Sequence, residues 1–240
     1  MVWDKLTDWI ADPHLEKENI DKYREILCQL HGILVIDDFL HEERAHSLRL
    51  ALEGDIVFEQ KYSHFRKRER VSKRVSKEEW LSSCKKERFF THLEAIGPKL
   101  GKELSIQFLN HLFFCKILGS SAFCNYFGRV CGRSLSGLQR INGKILRKEH
   151  FLRPHSDNTP GRALCASYYL SIDWKKEYGG ELYLYDKGKV ESIIDPLFNR
   201  LVLFNPSQSS VHGVGPMNLE VSDWPRYNYS FWFRQQDDSE

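Results

Sequence analysis

The sequence predicts an α+β fold, mainly β in its core: a double-sheet jelly roll carrying an N-terminal helical layer. Three observations predict it. After about residue 138, short strand patterns follow one another at 138–146, 150–154, 165–172, 181–186, 189–194, 200–205, 210–214 and 226–234. Turn residues punctuate them at Asn158–Gly161, Gly179-Gly180, Asp186-Lys187-Gly188, Asp195-Pro196 and Asn205-Pro206, which is the pattern of a sandwich or barrel. Before residue 131 the apolar spacing is mostly helical. We therefore expect a single domain over 1–240, with 1–131 as mostly helical support plus lead-in strands and 138–234 as the core.

In chain order, residues 18–30 have apolar positions at helical spacing, stopped by His31-Gly32. Ile33-Leu34-Val35-Ile36 is a β-branched, apolar strand. Asp37-Asp38-Phe39-Leu40 turns it into a helix at about 41–53, which Gly54 ends before a strand begins at Ile56-Val57-Phe58. Residues 61–77 hold eight Lys or Arg against one Glu, which makes the remainder of the chain net acidic. A solvated surface loop is one reading. A mobile loop that meets an acidic partner or substrate is the other, with Arg66 and Arg68 as its candidate contacts. Only Tyr62 and Phe65 supply aromatics there, which argues against a nucleic-acid surface.

From about 87 to 131 the pattern is helical and rich in Phe, Leu and Cys. Gly97-Pro98 is expected to break one helix and start the next. Gly119-Ser120 separates Phe108–Leu118 from a helix at Ala122–Val130, with Ser120 or Ser121 as N-cap. Gly137 to Lys144 has the outline of a phosphate loop. It carries five residues between its glycines, and Ile145 stands where a hydroxyl should bind magnesium, so that reading is rejected.

Composition excludes several classes. Apolar content of 41% and charged content of 28% are ordinary for a soluble globular chain, and a net charge of +2 argues for neither nucleic acid nor a membrane. No apolar run approaches the roughly 18 residues of a spanning helix. The aromatic, acidic N-terminus is unlike a secretory signal. Six scattered cysteines form no metal or redox motif, which suggests reduced thiols and a cytoplasmic location.

The chemistry gathers in the core. His155 and Asp157 are two apart, so on a strand they share a face. His212 follows 55 residues after Asp157, within another strand, and opposing strands of a small barrel can bring it to the same interior. Two imidazoles and a carboxylate are the ligand set that holds Fe(II) with positions left open. Such iron needs electrons to activate dioxygen, and the chain has no flavin or haem motif. A chelating 2-oxo acid can supply them. Its far carboxylate requires a deep cation, for which Arg226 is the candidate, and an Arg–carboxylate fork contributes roughly 1.5–3 kcal/mol. Alternation puts Arg226, Asn228, Ser230 and Trp232 on one strand face and Tyr227, Tyr229, Phe231 and Phe233 on the other. Ser230 is thereby a candidate co-substrate contact and Trp232 a candidate substrate contact. Arg226 paired with a structural carboxylate is the alternative.

An ordered set of residues now resembles a known family. His155-x-Asp157, Arg162, Ser167-Tyr168-Tyr169-Leu170, Asp173-Trp174, Gly179-Gly180-Glu181-Leu182, Asn199 to Phe204, His212 and Arg226-Tyr227 through Trp232-Phe233 resemble the prolyl 4-hydroxylase-like Fe(II)/2-oxoglutarate dioxygenases. Within that family they are most similar to the branch of oxygen-sensing prolyl hydroxylases and their bacterial relatives. The resemblance covers about 138–234, and Gly32–Leu52 resembles the family's first strand and helix. It implies a double-stranded β-helix, cupin-like, with His155, Asp157 and His212 on Fe(II). It implies that Arg226 anchors the 2-oxoglutarate C5 carboxylate, that Tyr169 hydrogen-bonds to it, and that Arg162 contacts substrate. O2 is the oxidant, and ascorbate is admitted as an accessory reductant. With Asp157 present the implied outcome is hydroxylation, not halogenation. The segment between His212 and Arg226 is longer than in those relatives, and 147–152 lacks their tyrosine and glycine.

The expected activity is hydroxylation of an unactivated C–H bond in an amino-acid, peptidyl (prolyl included) or natural-product substrate, with release of succinate and CO2. Desaturation or cyclisation by the same machinery is the first rival. A non-catalytic β-barrel sensor that binds metal or 2-oxo acids is the second. A nucleic-acid demethylase, suggested by the basic stretch alone, is the third.

Overall fold

The computed structural model describes residues 5–29, 32–66, 71–99, 101, 103–207, 210–218 and 224–236. The elements, in order, are α1 (Lys17–Cys28), β1 (Ile33–Ile36), α2 (Glu42–Gly54), β2 (Ile56–Arg66), β3 (Val71–Val75), α3 (Lys77–Ser82), β4 (Arg88–Pro98), α4 (Ile106–Ile117) and α5 (Ser121–Cys131). The core follows with β5 (Leu135–Leu146), β6 (Phe151–His155), β7 (Arg162–Tyr169), β8 (Leu182–Asp186), β9 (Lys189–Ile194), β10 (Arg200–Phe204), β11 (Val211–Val214) and β12 (Arg226–Gln235). All eight strands expected after residue 138 are present.

The strands form one antiparallel sheet in the order β1-β10-β7-β12-β5-β4-β6-β11-β8-β9, with β2 and β3 attached beside β4. The sheet curls into a jelly roll, and β4 bridges its two halves by pairing with β5 and with β6. The β12 sequence builds both of its faces. Tyr227, Tyr229, Phe231 and Phe233 are buried in a core shared with the helices, each fully buried aromatic contributing roughly 2–3 kcal/mol. The residues between them face the inside of the curl.

The helices cover one side of the sheet, with α1 against α5 and α2 against α4. Ser105 caps α4 by accepting from Phe108 N at 2.9 Å, and Ser120 caps α5 by accepting from Phe123 N. Asn199, 2% exposed, ties the β1–α2 turn to the sheet. It accepts from Leu40 N and Tyr168 Oη and donates to Leu40 O. No helix among the described residues is long and apolar enough to cross a membrane.

Two expectations in the N-terminal half are corrected. Residues 88–98 are a strand, not a helix, and Gly97-Pro98 ends that strand. Phe89, Phe90, His92 and Glu94 line a polar interior, Thr91 is buried on the other side, and a bulge lies between the pairs Ser63↔Phe90 and His64↔Arg88, so the strand lacks the apolar–polar alternation that marks one. The basic stretch is not simply a loop. Its described part is a β2–β3 hairpin in register from Tyr62↔Val75 to Arg66↔Val71. Among the described residues β3 pairs only with β2, and charge on an exposed edge strand discourages pairing with other chains. Arg66 is the last residue of β2, and Arg68 lies outside the described residues.

Candidate active site

β6 and β11 pair with His155 opposite His212, and their ring centroids are 4.4 Å apart. Asp157 joins them. Its Oδ1 is 3.8 Å from His155 Nε2 and its Oδ2 is 3.7 Å from His212 Nε2. β6 ends at His155, so strand alternation does not place Asp157. The loop after the strand does, and two donors hold it: Arg162 Nη1 reaches Oδ1 at 3.1 Å and Trp232 Nε1 reaches Oδ2 at 2.8 Å. The guanidinium also stacks on the indole, 5.0 Å from its centroid. Arg162 and Trp232, expected on substrate, are thus hydrogen-bonded to the carboxylate.

Each imidazole is oriented from behind. The Nδ1 atoms of His155 and His212 lie 3.0 and 3.1 Å from the carbonyls of Arg153 and Ser210. A carbonyl accepts, so Nδ1 carries the proton and the Nε2 lone pair points at Asp157, the tautomer a metal ligand requires. Burial lowers both pKa values, that of His212 to about 4. Burial opposes the Asp157 carboxylate, but His155, His212, Trp232 and Arg162 outweigh it and hold its pKa below the usual range. One ligand atom from each residue falls within 4.8 Å of the others, so the three can hold a metal ion.

At the other end of the chamber sits Arg226, 2% exposed. Its Nη1 donates to Asn228 Oδ1 at 2.9 Å, and Asn228 Nδ2 donates to Ser230 Oγ at 3.1 Å. Tyr169 lies beneath it, 4.7 Å from ring centroid to guanidinium carbon. Gly180, at φ +80°, leaves room for the arginine stem: a Cβ there would come within 2.9 Å of Arg226 Cδ. Among the described residues no carboxylate pairs with Arg226, and buried Arg226 Nε and Tyr169 Oη have no hydrogen-bond partner. Burial depresses the pKa of the arginine and raises that of the tyrosine. Unpartnered buried donors are costly, and an anionic ligand is what they are built to take. The same chamber therefore suits a metal at one end and a carboxylate at the other.

Sequence reasoning missed a third group, at the chamber mouth. Lys144 is on β5 beside Asn228, its pKa brought to about 8, chiefly by burial. His92 on β4 has a buried Nε2 without a hydrogen-bond partner and a pKa of about 4, again chiefly from burial. Glu94 is held at about 2: burial works against ionisation, but His92, Arg74 and Arg140 outweigh it. These residues line a space of about 290 Å³ that includes His155, Asp157 and Trp232. Alternation along 138–146 carried the signal for Arg140, Asn142 and Lys144. His92 and Glu94 stood in the stretch misread as helix.

Residues 140–234 match the family model of the 2OG-Fe(II) oxygenase superfamily. Over those residues the chain is similar to that superfamily. Prolyl 3-hydroxylase OGFOD1 of Mus musculus is 36% identical over 86 residues, which are 33% of this chain and 15% of that protein's length. Three solved structures share the architecture. A Pseudomonas putida prolyl-4-hydroxylase superposes with a TM-score of 0.58 at 18% identity, over 91% of this chain and all of the other (100%). A Trichoplax adhaerens prolyl hydroxylase, in complex with a peptide fragment of the hypoxia inducible factor oxygen degradation domain, gives 0.57 at 22% identity, over 93% and 96%. A Burkholderia pseudomallei oxidoreductase of the 2OG-Fe(II) oxygenase family gives 0.60 at 14% identity, over 92% and 93%. At these identities the likeness is one of fold.

Proposed function

We propose that this protein is an Fe(II)- and 2-oxoglutarate-dependent dioxygenase that hydroxylates an unactivated C–H bond, releasing succinate and CO2. A prolyl residue in a peptide is the first substrate to test, since the similar proteins include prolyl hydroxylases. The observation that carries the reading is the pairing, in one chamber, of three converging ligands with a buried cation that has no carboxylate partner.

His155, Asp157 and His212 would hold the iron. When bound, it supplies dioxygen activation coupled to decarboxylation of the 2-oxo acid. The chain's own residues do the rest. Arg162 and Trp232 fix the Asp157 carboxylate, and the carbonyls of Arg153 and Ser210 keep the Nε2 lone pairs turned inward. Arg226, supported by Asn228 and with Tyr169 at its side, would take the C5 carboxylate and so set the direction in which the 2-oxo group lies. Ser230 lines the chamber beside them. Leu146, Leu182, Phe204 and Val214 form its apolar wall, which keeps water from the reacting centre. The free thiols of all six cysteines suit a reducing compartment and support a cytoplasmic location.

The test is succinate release from 2-oxoglutarate with Fe(II), O2 and ascorbate, with and without prolyl peptides, and mass analysis of the peptide. A gain of one oxygen atom supports the reading. Loss of two hydrogens instead would mean desaturation or cyclisation. No 2-oxoglutarate turnover under any condition, with the metal bound, would leave the sensor.

A further inference from the structure

The sheet face turned away from the chamber carries a second cleft, of about 500 Å³. Strand parity separates the two. Ser63 pairs with Phe90, and Phe90 with Leu152; all three line the chamber mouth. Their neighbours Tyr62, Thr91 and Phe151 also pair with one another and floor the cleft; Tyr62 and Thr91 face it alone, while Phe151 stands at the border and also lines the chamber. Trp80 of α3, 5% exposed, closes one side, its ring 5.4 Å from Tyr62 and 6.0 Å from Phe151.

The walls are held in place by their own arginines. Arg88 Nη2 donates to the carbonyls of Leu81 and Ser83 at 3.1 and 3.3 Å, and Arg153 Nη2 to that of Lys85 at 2.6 Å. Exposed Lys77, Lys85 and Lys148 stand around them. Glu149 is the one carboxylate in the lining, and among the described residues none of the five cations forms an ion pair. The whole chain carries only +2, so this concentration is local and built of groups that repel one another until an anion arrives.

We propose that the cleft is a docking site for an acidic polypeptide segment, separate from the oxidation chemistry. Single-stranded nucleic acid is recognised by stacking bases on exposed aromatic faces. Here Trp80 is buried and Tyr62 is packed against it, so the cleft offers cations without a stacking platform. Lysines on flexible stems around a concave floor suit carboxylates spaced along a chain. The proposal does not depend on turnover, so its test reads binding alone.

The test uses fluorescence anisotropy with a fluorescein-labelled peptide of twelve alternating Asp and Glu residues and the full-length protein. One variant reverses Lys77, Lys85 and Lys148 (K77E, K85E, K148E). A control makes the same change in net charge elsewhere, at Lys5, Lys17 and Lys22 (K5E, K17E, K22E). The peptide should bind the wild type, and the cleft variant should weaken it by at least about 10-fold at low salt, against less than about 2-fold for the control. Both variants should keep the wild-type circular dichroism spectrum, since every substituted side chain is exposed. No peptide binding, or equal loss in the two variants, overturns the proposal. So does tighter binding of a twelve-nucleotide oligo-dT that is lost in the cleft variant, which would make the site one for nucleic acid.

Discussion

The two ends of the chamber differ in how far the protein has already satisfied them. At the ligand end the side chains are already held in place by their neighbours: Asp157 by Arg162 and Trp232, and both imidazoles by carbonyls at Nδ1, which leaves the Nε2 lone pairs for a metal. At the Arg226 end, Arg226 Nε and Tyr169 Oη are buried without partners. The first end is organised before anything binds, and the second carries a desolvation cost that only a ligand relieves. Substitutions at the two ends should therefore divide differently between stability and function.

The largest effect is expected at the organised end. Asp157→Ala removes the carboxylate proposed to hold the metal and takes a partner from Arg162, and turnover of 2-oxoglutarate should fall by at least about 100-fold, measured as succinate release. At the waiting end, Arg226→Met keeps the stem and removes the charge. Affinity for 2-oxoglutarate should fall by about 2–5 kcal/mol by calorimetry, while the ligand-free melting temperature holds or rises, because an unpaired buried cation has gone. A clear drop in ligand-free stability would mean that Arg226 is structural and would erase the contrast.

Smaller effects sharpen it. Arg162→Met should weaken metal binding by about 10-fold, since it loosens a ligand without removing it, read by competition with a chelating dye. Trp232→Phe keeps the ring but loses the donor to Asp157, and should cost about 1 kcal/mol of the same affinity. The smallest effect is a pH baseline from outside the ligand set. His92 and His111 have pKa values of about 4, brought down chiefly by burial, and His111 bonds to Tyr229 Oη at 2.7 Å. The unfolded chain takes up these protons near pH 6.5, whereas the folded chain does so only near pH 4. Their contribution is complete above about pH 6.5 and is lost as pH falls towards about 4. Urea midpoints should fall less steeply over that window in H92Q/H111Q than in the wild type.

The sequence made one half of the fold far easier to read than the other. From Arg226 to Phe233 in β12 each residue has a single fate, helix-facing core or chamber, so strict alternation exposed both Arg226 and the aromatic face. β4 buries polar and aromatic residues together on its chamber side, with Thr91 buried on the other and a bulge breaking the alternation at Phe89, and that mixture looked helical. The hairpin β2–β3 is an edge, where charge displaces the apolar signal. Within the site, His155, Asp157, His212, Arg226 and Tyr169 were legible from spacing and resemblance. The clamp on Asp157 was not, because it joins Arg162 and Trp232 across strands whose register no local pattern records. His92 and Lys144 went unnoticed for a similar reason: their importance comes from facing the chamber, not from any motif.

The central claim is that one chamber holds Fe(II) at one end and the far carboxylate of 2-oxoglutarate at the other. The most direct measurement is the visible charge-transfer absorption on anaerobic titration of Fe(II)-loaded protein with 2-oxoglutarate. Wild type should develop a weak band that saturates. Asp157→Ala should show none, and Arg226→Met should reach the same band only at much higher 2-oxoglutarate. No band in the wild type, or a titration that Arg226→Met leaves unchanged, would contradict the account.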